Sequence, residues 1–197
     1  MGESQILTTV LAYILIALFF GVVDRRMRTG QEARSLDQTP SDAGTANLVG
    51  FAFFLTGLGL LAAPILNYLR IGALPLSSLF GWIGIAIALL GIALRWWAFK
   101  TLGEFYTRTL RVSTEQRIVR QGPYKIIRHP GYLASILIWL GAALATTNWI
   151  AVVIAAVVLS LAYHSRIQAE ERMLLSLRNQ EYGEYRAHTW KLIPFIY

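Results

Sequence analysis

The chain has 197 residues, of which 55% are hydrophobic and 15% are charged, and its formal net charge is +7. This composition is typical of an integral membrane protein and disfavours a soluble globular domain. Because the chain contains no cysteine, disulfides, thiolate nucleophiles and cysteine-ligated metals are excluded. The three histidines lack the close spacing of a zinc helix motif, so we expect no metal site.

Four long uncharged stretches predict membrane-spanning helices, at residues 6–23, 46–69, 73–94 and 131–163. The first three match the roughly 20 apolar residues that a helix needs to cross about 30 Å of hydrocarbon. As a single helix the fourth would run to roughly 50 Å. We therefore predict two antiparallel helices that turn at Thr146-Thr147-Asn148. The predicted fold is all-α, with five transmembrane helices and a cytosolic C-terminal helix and loop region.

Local signals refine this outline. The first stretch is expected to be a retained anchor because Glu3 replaces the basic residues of a signal peptide. Residues 31–45 form a polar linker between the first two spans. Pro64 falls within the second span, where a kink is tolerated. Gly84 and Gly91 lie seven residues apart in the third span, which favours close helix packing on one face.

Basic residues concentrate in alternate connections and predict the orientation. They lie in the first and third connections and after the last span, whereas the other connections hold only Arg70. The positive-inside rule then places the N-terminus outside and the C-terminus in the cytosol. The positive charge therefore indicates topology and contact with anionic lipid headgroups, with no nucleic acid as a partner.

The polar chemistry lies in two blocks that flank the predicted hairpin, residues 101–132 and 166–194. A hairpin returns its ends to one membrane face, so we expect the two blocks to meet. In the first block, Gly122-Pro123-Tyr124 is a turn signal, and Pro130 suits the first turn of a helix. The N–H groups from Gly131 to Leu133 would then be free to bind an anion. Alternatively, Arg128 and His129 are interfacial anchors, with Tyr124 and Tyr132 in an aromatic belt.

The second block predicts a helix over residues 165–178 that carries Glu170 and Glu171. Glu170 lies four residues after Arg166, and Glu171 lies about 100° further round the helix, facing a different neighbour. A surface ion pair would explain Arg166 and Glu170 structurally. Carboxylates this close to a membrane exit are nevertheless costly unless they are paired or face a polar cavity, which favours function. Arg95 interrupts an apolar run and either snorkels at the interface or serves the site.

The ordered motifs resemble a known enzyme group. GPY-x3-RHP-x-Y (122–132), an apolar hairpin, R-x4-E (166–171) and EYGEYRAHTWKLIPFI near the C-terminus resemble the isoprenylcysteine carboxyl methyltransferase and phospholipid methyltransferase family of integral membrane enzymes. The resemblance covers roughly residues 90–196. We therefore expect a single domain, 1–197, with a variable transmembrane part at 1–89 and a catalytic part at 90–197.

The resemblance implies methyl transfer from S-adenosylmethionine, with S-adenosylhomocysteine as product, to a lipophilic substrate that enters from the bilayer. It assigns the reacting end of the substrate to Arg95, Arg166 and Glu171. It assigns the cofactor pocket to Tyr124, His129, Pro130, Tyr132, Leu133, Glu170 and Glu171. The predicted location is a bacterial inner membrane or the endoplasmic reticulum.

The substrate class stays open at this point. Carboxyl O-methylation of a prenylated cysteine or isoprenoid acid needs no general base, because the acceptor is already ionised. Amine methylation of a phospholipid needs one, for which Glu171 or His129 is the candidate. Two rivals are an NADPH-dependent sterol-type reductase, whose C-terminal half is similar to this one, and a non-catalytic membrane scaffold.

Overall fold

A computed structural model describes residues 2–23, 44–103 and 118–196 of the chain. The described part is helical and contains no β-strand, only two isolated bridges. Its five long helices, in chain order, are α1 Glu3–Leu18, α2 Thr45–Tyr68, α3 Ser77–Leu102, α4 Pro130–Ala145 and α5 Trp149–Ala187. A π-helix, Phe19–Val23, extends α1, and a 3-10 helix, Gly122–Lys125, precedes α4. The predicted linker and many of the loop arginines lie outside the described residues.

Four helical segments of the described chain are long and apolar enough to cross a membrane, and α4 is a shorter apolar helix of 16 residues. The protein is an integral membrane protein of the all-helical class. The predicted turn at 146–148 is confirmed, because α4 ends at Ala145 and α5 begins at Trp149. Asn148 caps α5 by accepting hydrogen bonds from the N–H groups of Ile150 and Ala151.

One end of the bundle holds the N-terminus, the α2–α3 connection and the 146–148 turn. The Gln5 amide donates to the Thr147 hydroxyl at 2.6 Å. The Leu74 N–H donates to the Thr147 carbonyl, and the Asn67 amide donates to the Thr146 carbonyl. Consecutive helices therefore run in alternating directions, which places the C-terminal ends of α1, α3 and α5 together at the opposite end, beside the start of α4.

Glycines let α3 and α4 pack backbone to backbone. A Cβ atom added to Gly84 would lie 2.4 Å from the Ala145 nitrogen, and one added to Gly91 would lie 2.8 Å from the Ile138 nitrogen. The predicted packing role of both glycines is thus confirmed. Gly141 on α4 approaches Ala88 in the same way.

Two differences from the predicted helix boundaries concern the site. The third helix continues past Leu94 to Leu102, and Arg95 within it bonds to α4. The last helix continues past residue 178 to Ala187. At about 1.5 Å per residue, its 39 residues extend about 58 Å, well beyond a hydrocarbon core of about 30 Å.

Candidate active site

The two polar blocks meet around His129. Its ring places Nδ1 3.5 Å from Glu170 Oε2 and Nε2 3.3 Å from Glu171 Oε1. Both carboxylates therefore face one imidazole, and Glu171 in addition has the separate neighbour that was expected, Arg128. The two nitrogens lie on opposite sides of the ring, so one imidazole can bridge two carboxylates that are 100° apart on a helix.

His129 owes its position to Pro130, which begins α4 and leaves His129 as the N-terminal cap residue. Its side chain is buried, and the ring stacks on Tyr132 with a centroid distance of 5.4 Å and an interplanar angle of 7°. Burial alone would lower the pKa of His129. Hydrogen bonds and charges from Glu170 and Glu171 outweigh burial and raise the pKa above its ordinary value.

The predicted free N–H groups at the start of α4 need correction. The N–H groups of Tyr132 and Leu133 both donate to the His129 carbonyl at 3.1 Å. They close the first turn of the helix and are not available to an anion. The assignment of Leu133 to a cofactor pocket therefore loses its physical reason, although the residue lies beside the site.

Arg128 is buried within the site, which disfavours the alternative that it is an interfacial anchor. Its Nε donates to Glu171 Oε1 at 2.9 Å. Its Nη1 donates to the carbonyls of Arg186, in the last turn of α5, and Thr189, just after it. Arg128 thus ties Glu171 to the C-terminal segment, which the backbone pairing of residues 126–129 with 190–191 also holds. The sequence signal for the burial of Arg128 is its position directly before His129.

Arg166 is also buried, which excludes a surface ion pair. Its Nε donates to the Tyr132 hydroxyl at 3.3 Å and its Nη1 to the Thr45 hydroxyl at 3.0 Å. Tyr132 therefore links Arg166 to the stacked imidazole. Thr45, at the start of α2, is a contact that no sequence signal indicated.

Arg95 lies on the other side of the α4 start. Its Nη1 donates to the Gly131 carbonyl at 2.8 Å and to the Ser135 hydroxyl at 3.1 Å. This contact crosses from α3 to the turn that carries Pro130. Arg95 is therefore fixed within the bundle rather than snorkelling freely, one turn of α4 away from Tyr132.

Tyr124 is buried, and its carbonyl accepts a hydrogen bond from the Tyr185 hydroxyl at 2.7 Å. Of the predicted site residues, one group forms a directly contacting set. It comprises His129, Tyr132, Arg166, Glu170 and Glu171. Pro130 and Leu133 adjoin this set along the chain, Arg95 bonds to Gly131 and Ser135 on α4, and the Tyr124 carbonyl bonds to Tyr185.

The arrangement suits a cationic ligand. The two carboxylates at one end of the bundle can hold a positive group, and Arg95 and Arg166 can hold a carboxylate. Among the described residues, no group of three or more His, Cys, Asp or Glu side chains could hold a metal ion.

Residues 82–176 match the model of the isoprenylcysteine carboxyl methyltransferase family. This stretch begins in α3 and ends in α5, and it contains every predicted site residue. The predicted family resemblance is confirmed.

Relatives and a solved structure of the family agree. A probable protein-S-isoprenylcysteine O-methyltransferase of Oryza sativa subsp. indica is 30% identical over 118 residues, 58% of this chain and 61% of that protein. Protein-S-isoprenylcysteine O-methyltransferase B of Arabidopsis thaliana is 32% identical over 116 residues, 57% of this chain and 58% of that protein. The aligned region therefore spans about three fifths of the length of these relatives.

The structure of a eukaryotic intramembrane Ras methyltransferase, an isoprenylcysteine carboxyl methyltransferase, superposes with a TM-score of 0.69. The superposition covers 99% of this chain and 69% of that chain, at 22% sequence identity. At this identity the likeness establishes the fold.

Proposed function

We propose that this protein transfers a methyl group from S-adenosylmethionine to a lipophilic carboxylic acid at the membrane surface, most specifically to the carboxyl group of a prenylated cysteine. The observation that carries the proposal is the buried His129, held between Glu170 and Glu171 at the end of a membrane helix bundle. The names of the family and of its relatives agree with this reaction.

The residues fit the cofactor. S-adenosylmethionine is a polar cation that supplies an activated methyl group when it is bound. Glu170 and Glu171 provide negative charge for it, and both are held in place by His129 and, for Glu171, by Arg128. Tyr124 and Pro130 would complete the surroundings, within a catalytic part at residues 90–197.

The acceptor would be oriented by the arginines. Arg166 and Arg95 lie towards the spanning parts of α5 and α3, so they can position a carboxylate whose lipid tail remains in the bilayer. The raised pKa of His129 favours a carboxylate acceptor over an amine. An imidazole that is held in its protonated form has no free nitrogen to accept a proton, and only the amine acceptor needs a base.

We also propose five crossings with the site and the C-terminus on the cytosolic side. The alternating helix directions support this, because the end opposite the N-terminus carries the basic connections. The outer face of α5 changes from exposed Val157 and Leu161 to exposed His164, Gln168 and Arg172. This change supports a membrane boundary at this level of α5, where Arg172 can contact anionic headgroups.

The test is methyl transfer from tritiated S-adenosylmethionine to a farnesylated cysteine analogue in isolated membranes. Labelled ester is expected for the wild type and none for His129→Ala or Glu171→Ala. His188→Ala is the matched control, because His188 is exposed at the same end and outside the site. Label in a phospholipid amine would support the alternative acceptor. Binding of NADPH without binding of S-adenosylmethionine would overturn the proposal.

A further inference from the structure

Tyr182 carries a hydroxyl that the described part of the chain leaves without a partner. Its side chain is 2% exposed, and its oxygen is buried with no hydrogen bond. Buried hydroxyls in native proteins nearly always bond to protein, water or ligand, because an unmade bond is destabilising. No sequence signal assigned Tyr182 a role, and its hydroxyl needs an explanation.

Tyr182 lies on the same face of α5 as Glu171. The two residues are 11 positions apart, which is three helical turns within about 20°. Side chains on a helix lean towards its N-terminus, so the Tyr182 ring leans towards the carboxylates. The Tyr182 ring contacts Tyr185, whose hydroxyl bonds to the Tyr124 carbonyl, so Tyr182 adjoins the first polar block of the candidate site.

Tyr185 provides a contrast within the same turn. Its ring meets that of Tyr182 edge to face at 6.0 Å, and it is also buried. Its hydroxyl, however, donates to the Tyr124 carbonyl at 2.7 Å. One tyrosine of the pair therefore has a structural bond, while the other keeps a donor available.

The surroundings of the Tyr182 hydroxyl determine which kind of acceptor it can bond to. Burial, followed by the charge of Glu171, raises the pKa of Tyr182 well above its ordinary value, so the hydroxyl stays protonated and donates. Two carboxylates nearby oppose a negatively charged acceptor. A neutral acceptor, such as a ring nitrogen or a sugar oxygen, meets both conditions.

We infer that the Tyr182 hydroxyl donates a hydrogen bond to a neutral acceptor of the nucleoside part of bound S-adenosylmethionine. This inference rests on the proposed function and adds a ligand contact to it. In this arrangement Glu170 and Glu171 face the cationic part of the ligand, and Tyr182 faces its adenine or ribose.

The experiment compares Tyr182→Phe with Tyr185→Phe in the full-length protein in detergent. Calorimetry measures the affinity for S-adenosylhomocysteine and for 5′-methylthioadenosine, which lacks the amino-acid part. Thermal unfolding without ligand is the second readout. For Tyr182→Phe we expect about tenfold weaker binding of both ligands. Its unliganded Tm should be unchanged or higher, because the variant removes an unsatisfied buried group.

Tyr185→Phe should do the reverse, with a lower unliganded Tm and a smaller change in affinity. Equal affinity of Tyr182→Phe and wild type would overturn the Tyr182 contact alone. A loss seen with S-adenosylhomocysteine and not with 5′-methylthioadenosine would overturn the nucleoside assignment. If the wild type binds neither ligand, the proposed function fails and the inference fails with it.

Discussion

Arg128 and Glu171 form a buried ion pair, and Arg128 has more hydrogen-bond partners outside the pair than Glu171 has. Glu171 is 6% exposed, and its described partners are Arg128 at 2.9 Å and His129 at 3.3 Å. Arg128 also donates to the carbonyls of Arg186 and Thr189. Removing the cation therefore leaves a buried carboxylate with one partner, whereas changing the anion leaves the cation with two further acceptors.

The expected costs differ accordingly. Arg128→Met should lower the free energy of unfolding by about 3–5 kcal/mol, as for other buried pairs that lose one member. Glu171→Gln keeps the shape and an oxygen that can accept from Arg128, so it should cost about 1–3 kcal/mol. The double variant should cost less than the sum of the two, because neither charge is then left alone.

Unfolding in mixed detergent and SDS micelles, followed by circular dichroism, measures these differences. Arg172→Met is the matched control, since Arg172 is exposed on the same helix, and it should cost under about 1 kcal/mol. The reasoning is refuted if Glu171→Gln costs as much as Arg128→Met, or if the double variant is additive.

Three further predictions concern packing, pH and substrate. Gly84→Ala should destabilise the bundle by about 1–3 kcal/mol in the same unfolding assay, because the new Cβ atom meets the backbone of α4. Gly50→Ala is the control and should not destabilise it, because a Cβ atom at Gly50 has no neighbouring atom within 4 Å. Equal effects of the two variants would contradict the packing. The pKa of His129 is raised in the folded protein, so its contribution to stability is complete below the unfolded pKa of about 6.5 and is lost as pH rises through the folded pKa. The free-energy cost of His129→Gln should therefore be larger at pH 6 than at pH 9. A cost that does not vary with pH would refute the pairing of His129 with the two carboxylates. Arg166→Gln should raise KM for a prenylcysteine about tenfold or more, while the affinity for S-adenosylhomocysteine, measured by calorimetry, changes little. An unchanged KM with weaker binding of S-adenosylhomocysteine would show that Arg166 contacts the cofactor instead of the acceptor.

The sequence predicted those features that local chemistry determines. The 146–148 turn follows from three polar residues within an apolar run, and the start of α4 follows from Pro130. The meeting of the two blocks follows from the hairpin itself. These are short-range signals, and the structure confirms each one.

Long-range geometry accounts for what the sequence did not predict. The burial of Arg128 depends on the C-terminal segment returning to residues 126–129, and periodicity does not reveal that return. The contact of Arg166 with Thr45 crosses from α5 to α2. Arg95 lies within α3 and donates to a carbonyl and a hydroxyl of α4, a contact between helices that local sequence does not reveal.

Where the cofactor binds can be measured without any acceptor substrate. Ultraviolet irradiation of the purified protein with labelled S-adenosylmethionine, followed by peptide mapping, would locate the bound molecule directly. We predict that the label appears in the peptides around residues 122–133 or 166–190 and that excess S-adenosylhomocysteine prevents it. Label confined to residues 1–89, or no label that S-adenosylhomocysteine displaces, would contradict a cofactor site beside His129 and the two glutamates.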